Sequence, residues 1–174
     1  MKFEENNKIW DLYLESPWRY NTSSPTDDVG ISIGDVLKHG EHIDTWEDID
    51  VYKSIRHKDS FIFVKNDEIV SYYKWDDSVF DGVYQTRYTW NNPKYKGMFR
   101  KIFAYYILPK LKQIQSDNML TDKAFEFWKK MMIEYPNFNY YVVDSGEWKK
   151  ITEPESINQY KGGFNDDSTF IIST

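Results

Sequence analysis

Asn92-Pro93-Lys94-Tyr95-Lys96-Gly97-Met98-Phe99-Arg100-Lys101 is a short basic turn between two runs of different period. Before it, Tyr84 to Trp90 alternate as a strand does. After it, Met98 to Leu111 carry apolar side chains at helical spacing. A strand that passes through a glycine-containing turn into a helix presents the first N–H groups of that helix, which have no partner inside it. The positive end of the helix dipole lies at the same place. Lys94, Lys96, Arg100, Lys101, Lys110 and Lys112 add cations, and no Asp or Glu stands between positions 94 and 112. In a chain of net charge -6 this is a local reversal of sign. Two readings of these residues stay open. One is a pocket for the pyrophosphate of a nucleotide-like cofactor. The other is the solvated face of an ordinary amphipathic helix.

Upstream of the turn, Ser60 to Lys65 (Ser-Phe-Ile-Phe-Val-Lys) is rich in aromatic and β-branched residues and reads as a strand. Asn66-Asp67 reads as a hairpin turn, Glu68 to Trp75 as its return strand, and Val83 to Trp90 as the next strand. Val51 to Ile55 is a candidate first strand. Asn7 to Leu14 and Ile33 to Lys38 are candidate short helices. Downstream, Pro109 should kink or end the helix that Gly97 opens. Gln113 to Asp117 is a short strand. Thr121 to Glu134 is a helix with Thr121 as its cap and Asp122 in its first turn. Phe138 to Val143 and Thr169 to Ile172 are strands. Antiparallel strands followed by strand–helix–strand–helix–strand predict an α/β protein with a mixed, mostly antiparallel sheet flanked by helices.

At 174 residues the chain is expected to form one domain with a substantial core, and large rings should dominate that core because 18% of residues are aromatic. There is no cysteine, which excludes disulfides, thiolate metal sites and a cysteine nucleophile. The Met1 to Asn7 start lacks the apolar run of a secretory signal, and no stretch of 18 apolar residues exists to span a membrane. These features fit a cytoplasmic protein. The net negative charge argues against broad nucleic-acid binding, which needs clustered cations. His39, His42 and His57 lack a metal-ligand spacing, so no metal is expected.

The element order and three pieces of sequence resemble the GNAT superfamily of acyl-CoA N-acyltransferases. Asn92 to Phe103 is similar to the family's pyrophosphate-binding segment, which reads as proline, tyrosine, then Arg/Gln-x-x-Gly-x-Gly/Ala. Ile114-Gln115-Ser116-Asp117 stands in the place of the family's fifth strand. Thr121 to Met131 resembles the helix the family writes as Asn-x-x-Ala-x-x-x-Tyr. The resemblance covers roughly residues 50 to 145. It implies a GNAT-like domain over 1–174, made of a divergent N-terminal part (1–48), an acyl-CoA-binding core (49–145) and a C-terminal strand region (146–174).

The cofactor implied is acetyl-CoA, and the reaction is transfer of its acetyl group to a primary amine. That chemistry needs the amine neutral and aligned, and the tetrahedral oxyanion stabilised by a donor. The resemblance implies that Thr89, Trp90 and Asn91 line the pantetheine arm. It places Tyr95, Lys96, Gly97, Met98, Phe99, Arg100 and Lys101 at the pyrophosphate, and Thr121 and Trp128 on the second helix beside the cofactor. Asp117 is the candidate general base; its alternative is an ordinary loop or cap carboxylate. Ser116 is the candidate donor to thioester or thiolate; its alternative is a strand-end hydroxyl. Tyr88 and Tyr95 are further possible donors.

Two departures bear on activity. Aligned on Lys96, the later glycine positions of the motif hold Phe99 and Lys101. Trp128 stands where many members carry a tyrosine that protonates the departing CoA thiolate, and an indole N–H is not an acid of useful strength. A second reading therefore stands beside the first: a catalytically inactive relative acting as a binding or inhibitory module. The acceptor is expected to bear an amine, as a small molecule or a protein lysine. Nucleic acid enters only as a modified base, and no membrane is implied. The short chain and its Ser-Asp…Ala…Trp pattern resemble phage-encoded, viral members.

From Asn21 to Asp50 acidic residues prevail: Asp27, Asp28, Asp35, Glu41, Asp44, Glu47, Asp48 and Asp50. They read either as a solvated, partly loop-like surface or as a rim that attracts a cationic substrate.

Overall fold

The structure, a computed structural model, describes residues 30–54, 57–117, 122–160 and 168–174. The strands are β1 (Glu41–Trp46), β2 (Ile49–Lys53), β3 (Ser60–Lys65), β4 (Glu68–Asp77), β5 (Tyr84–Asn91), β6 (Gln113–Gln115), β7 (Asn139–Asp144), β8 (Glu147–Ile151) and β9 (Ser168–Ser173). They form one sheet in the order β1-β2-β3-β4-β5-β6-β9-β7-β8. Every pairing is antiparallel except β5 with β6. The sheet is thus mixed and mostly antiparallel, with helices on both faces, as the element order predicts.

Burial explains which strands form the centre. In β3, Phe61 and Phe63 point to one face and Ile62 and Val64 to the other, and all four are buried. A strand buried on both sides reads as a continuous apolar run. The Asn66-Asp67 turn that joins β3 to β4 has φ of 51° and 56°. Two positive-φ residues make the hairpin turn whose twist matches that of the strands.

On one face lie two helices. α2 starts as Met98–Ile102, loosens into a π-helical turn, Phe103–Ile107, and ends as Leu108–Leu111. α3 is Asp122–Glu134. They bury Ile102, Phe103, Ile107, Phe125 and Met131 against Phe63, Tyr73, Ile114 and Val142 of the sheet. The other face carries α1 (Ile33–His39), whose Val36 packs with Ile62, Tyr72 and Trp90. Pro109 lies inside α2, and the expected break in the regular helix takes the form of a π turn just before it. The π turn comes first, with the Leu108 N–H bonded to the Phe103 carbonyl. That wider turn passes the position where a proline ring would strike the preceding turn. The helix stops at Lys112, which takes φ of 69°.

Two strands lie where the sequence suggested loop or gave no pattern. β1 falls in the acidic stretch, and β8 in the segment around Trp148. Both are edge strands, largely exposed along their length. An edge strand with no fully buried face has no reason to alternate, so its sequence carries no strand period. The Asn7 to Leu14 helix expected from the sequence lies outside the described residues.

Candidate active site between β5 and β6

β5 and β6 run parallel and pair only at Tyr84 with Ile114 and Gln85 with Gln115. Beyond that point each follows its antiparallel neighbour. β5 stays on β4 to Asn91 opposite Ser71, and the Asn92 N–H then bonds to the Val70 carbonyl at 2.9 Å. The chain after β6 stays with β9, the Ser116 N–H bonding to the Phe170 carbonyl at 2.8 Å. Two strands held by different partners must part, and a cleft opens between them.

A bulge aims β5 into this cleft. Trp75 lies opposite Thr86 and Lys74 opposite Tyr88, so Arg87 is an extra residue in β5. Residues three apart in a regular strand face opposite sides. The extra residue puts Thr86 and Thr89 on the same side, and both line the cavity in the cleft. Tyr73 adds its phenol from β4, with its OH 3.0 Å from the Thr86 hydroxyl. Burial holds that phenol far above its ordinary pKa, and the Thr86 bond offsets this only in part. Tyr73 is therefore a donor and not a base. Ser116 and Asp117 line the β6 side.

Thr89 is different from its neighbours. It is 7% exposed, and its hydroxyl has no hydrogen-bond partner among the described residues. The Ser116 hydroxyl is fully engaged: it lies 3.0 Å from the Asp117 carbonyl and 3.1 Å from the Thr169 hydroxyl, and it accepts the Phe170 N–H at 3.1 Å.

The rings of Phe99, Phe103, Phe127 and Trp128 close the cavity from the helix side. Phe99 and Phe127 lie 5.5 Å apart, and Phe103 meets Phe127 at 5.4 Å and Trp128 at 6.1 Å. What remains inside is about 20 Å³. Outside, Arg100, Lys123, Glu126 and Lys130 line an open groove of about 320 Å³ between the starts of α2 and α3. Phe127 belongs to both spaces and is the wall between them.

The basic turn forms the rim. Asn92 caps a 3-10 turn, Pro93–Tyr95, by accepting the Lys94 N–H, and its amide donates to the Ile69 carbonyl at 3.0 Å. Gly97 is the N-cap of α2 with φ of 85°, a conformation only glycine adopts readily. No side chain caps the helix, so its first N–H groups face outward without a side-chain acceptor.

The charge at this rim is smaller than the sequence suggests. Lys94 is clamped by both Glu68 oxygens, at 2.9 and 2.7 Å. Tyr95 donates to the same carboxylate at 2.9 Å, and Lys94 and Tyr95 hold Glu68 below the usual carboxylate range. Arg100 pairs with Glu134 at 2.8 Å, and Lys110, far down the helix, pairs with Asp44 at 3.2 Å. Lys96 and Lys101 are exposed, and among the described ion pairs neither takes part.

The strand, basic turn and helix start follow one another as the sequence predicts, with Gly97 at the N-cap; the parting of the parallel pair and the bulge beside it are seen only in the structure. No protein-family model and no curated protein matches the sequence. Among solved structures, the chain is similar to the ribosomal-protein-S18-alanine N-acetyltransferase from Escherichia coli, with 9% identity, 87% of this chain and 89% of that chain covered, and a TM-score of 0.37. It is also similar to a putative acetyltransferase from the GNAT family of Bacteroides thetaiotaomicron, with 12% identity, 98% of this chain and 80% of that chain covered, and a TM-score of 0.37.

The expected site residues divide by position. Asp117, Ser116, Phe99 and Trp128 meet at the cleft. Lys96, Gly97, Met98, Arg100 and Lys101 form the helix start at its mouth. Tyr95 is turned to Glu68. Asn91 accepts the Ser71 hydroxyl at 2.7 Å. Trp90 does not line the cleft. Its ring packs in the cluster on the opposite face, and its carbonyl accepts the Ser71 hydroxyl at 3.0 Å. Thr121 lies outside the described residues. Sequence reasoning missed Tyr73, Thr86, Phe103 and Phe127. Strict alternation assigns Thr86 to the wrong face because nothing local marks Arg87 as a bulge.

Three carboxylates of the acidic stretch have partners elsewhere in β1–β3 and α2, and Asp27 and Asp28 lie outside the described residues. Asp44 takes Lys110 and the Tyr106 hydroxyl, Asp48 takes Lys65, and Asp50 takes Thr45 and His42. These carboxylates tie β1 and β2 to the body of the protein, which favours the solvated-surface reading over a rim for cationic substrates.

Proposed function

We propose that this protein is an acyl-CoA-dependent N-acetyltransferase that moves an acetyl group from acetyl-CoA to a primary amine. The observation that carries the reading is the cleft itself: β5 and β6 part after two residue pairs, and an uncapped helix N-terminus stands at the mouth. The pyrophosphate would lie against the N–H groups of residues 98 to 100, with Lys96 and Lys101 beside it. The arm of the cofactor would enter past Phe127. The thioester would reach the hydroxyls of β5, and Asp117 would accept the amine proton. Tyr73, kept protonated by burial, would donate a hydrogen bond inside the cleft but is too weak an acid to give up its proton there. The acceptor is an amine on a small molecule or a protein.

The cavity of about 20 Å³ supports a second reading. A slot so narrow does not admit a pantetheine arm until Phe99 and Phe127 swing aside. If they never do, the protein is a non-catalytic relative that binds a partner by its surface.

Calorimetric titration with acetyl-CoA and with desulfo-CoA, on wild type, Lys96→Glu and Phe127→Ala, separates the two. The enzyme reading expects both ligands to bind wild type, Lys96→Glu to weaken both by at least tenfold, and Phe127→Ala to bind no worse than wild type. Failure of wild type and of Phe127→Ala alike to bind at millimolar ligand overturns it in favour of the non-catalytic reading.

A further inference from the structure

Four hydroxyls converge on the inner cavity, and their hydrogen bonds separate one from the rest. Tyr73 and Thr86 satisfy each other at 3.0 Å. Ser116 is held by Thr169 and the main chain. Thr89 is more than nine-tenths buried, lines the same cavity, and has no partner for its hydroxyl among the described residues. A buried hydroxyl left in this way costs stability, and a native protein rarely keeps one without a use. The space beside it, about 20 Å³, is the size that one water or one carbonyl oxygen fills. The rings of Phe99, Phe103 and Trp128 offer no strong acceptor, and the Asp117 carboxylate that also lines the cavity is not within hydrogen-bond distance of the Thr89 hydroxyl. The partner that fits is a small, neutral, strongly accepting oxygen brought in by a ligand.

We propose that the Thr89 hydroxyl donates to the carbonyl oxygen of the acyl thioester, and that this bond makes the cleft prefer acylated CoA to free CoA. The inference rests on the acyl-CoA reading above and deepens it: it names the group that reads the acyl carbonyl. Two features set Thr89 apart as that group. The Arg87 bulge turns it to the cleft, and every other hydroxyl lining the cavity already has a protein partner. The bond breaks no existing one when it forms. After transfer the free thiol offers a far weaker acceptor, so the same residue favours exchange of product for fresh cofactor.

The test is the ratio of CoA to acetyl-CoA dissociation constants, measured by titration on wild type, Thr89→Val and Thr89→Ser. Valine keeps the shape and removes the hydroxyl; serine keeps the hydroxyl. The expected result is that Thr89→Val lowers the ratio by about tenfold, the usual worth of one buried hydrogen bond, while its affinity for free CoA stays at the wild-type value. Thr89→Ser should keep most of the wild-type preference. A Thr89→Val protein with the wild-type ratio overturns the inference. So does one that binds both ligands more weakly to the same degree, because that marks a packing role. If wild type binds neither ligand, the acyl-CoA reading itself has failed, an outcome distinct from the other two.

Discussion

The two sides of β5 differ in what they do with their polar groups. Along β4, seven residue pairs run from Ser71 opposite Asn91 to Asp77 opposite Tyr84. Along β6 there are two, and then the strands part. On the closed side, side chains complete each other: Tyr73 with Thr86, Ser71 with Asn91, Arg87 with Asp76. In the cleft, beside the paired Thr86, Thr89 is buried and has no hydroxyl partner among the described residues, and the start of α2 has no side-chain cap. Pairing is dense where β5 is held on β4 and stops after two residue pairs where β5 meets β6.

The largest test of this contrast is at the point where the two sides meet. Ile114 is fully buried and anchors β6 between β5 and β9. Ile114→Ala should cost about 2–5 kcal/mol, read from urea unfolding, because it empties space beneath the parallel contact of β5 with β6. A cost under about 1 kcal/mol would show that the parallel pair does not hold the cleft together.

The next test compares two threonines three residues apart. Thr86→Val strips the Tyr73 hydroxyl of its partner in a buried site and should destabilise by about 1–3 kcal/mol. Thr89→Val removes a hydroxyl that has no partner, so it should leave stability unchanged or raise it by up to about 1 kcal/mol. Equal losses in the two variants would break the comparison.

At the rim, Gly97→Ala should cost about 1–2 kcal/mol. The nearest atom to an added Cβ is an Arg100 nitrogen at 3.8 Å, so the cost is that of φ at 85° and not of a clash. A fall in thermal stability without loss of core packing, read by near-UV circular dichroism, is the expected pattern.

The smallest effect is electrostatic. Lys94 and Tyr95 hold the Glu68 carboxyl below its ordinary 4.5. A depressed folded pKa contributes stability that is present above the unfolded value and is lost as pH falls through the folded one. Wild type should therefore lose a small part of its thermal stability below about pH 4.5 that Glu68→Gln does not lose. The difference should shrink with added salt. Parallel acid titrations of the two proteins would show it; identical curves would place the Lys94 clamp outside the energetics of the rim.

Much of this protein is legible from local pattern. The apolar run of Ser60 to Lys65 marks a central strand because both of its faces are covered. Asn66-Asp67 marks a hairpin because its twist demands residues that tolerate positive φ, and Asn92-Pro93 followed by Gly97 marks the passage from strand to helix. Residues 113 to 117 and 169 to 172 are short, yet their β-strand character survives in the apolar positions that the helices cover. These features depend on neighbours a few residues away, so the amino-acid order alone determines them.

Tertiary structure decided the rest. β1 and β8 exist because a neighbouring strand pairs with them at the sheet edge, and their own residues carry no matching period. The Arg87 bulge, set by the register of β5 on β4, brings Thr86 to the same side as Thr89, while Trp90, next to Thr89, faces the other way. The cations between Lys94 and Lys112 look free in sequence, but Glu68, Glu134 and Asp44 arrive from 26, 34 and 66 positions away to neutralise three of them. Phe127 comes from a second helix to wall off the cavity. Each of these outcomes is a pairing between distant parts of the chain, and its energy depends on geometry that exists only after folding.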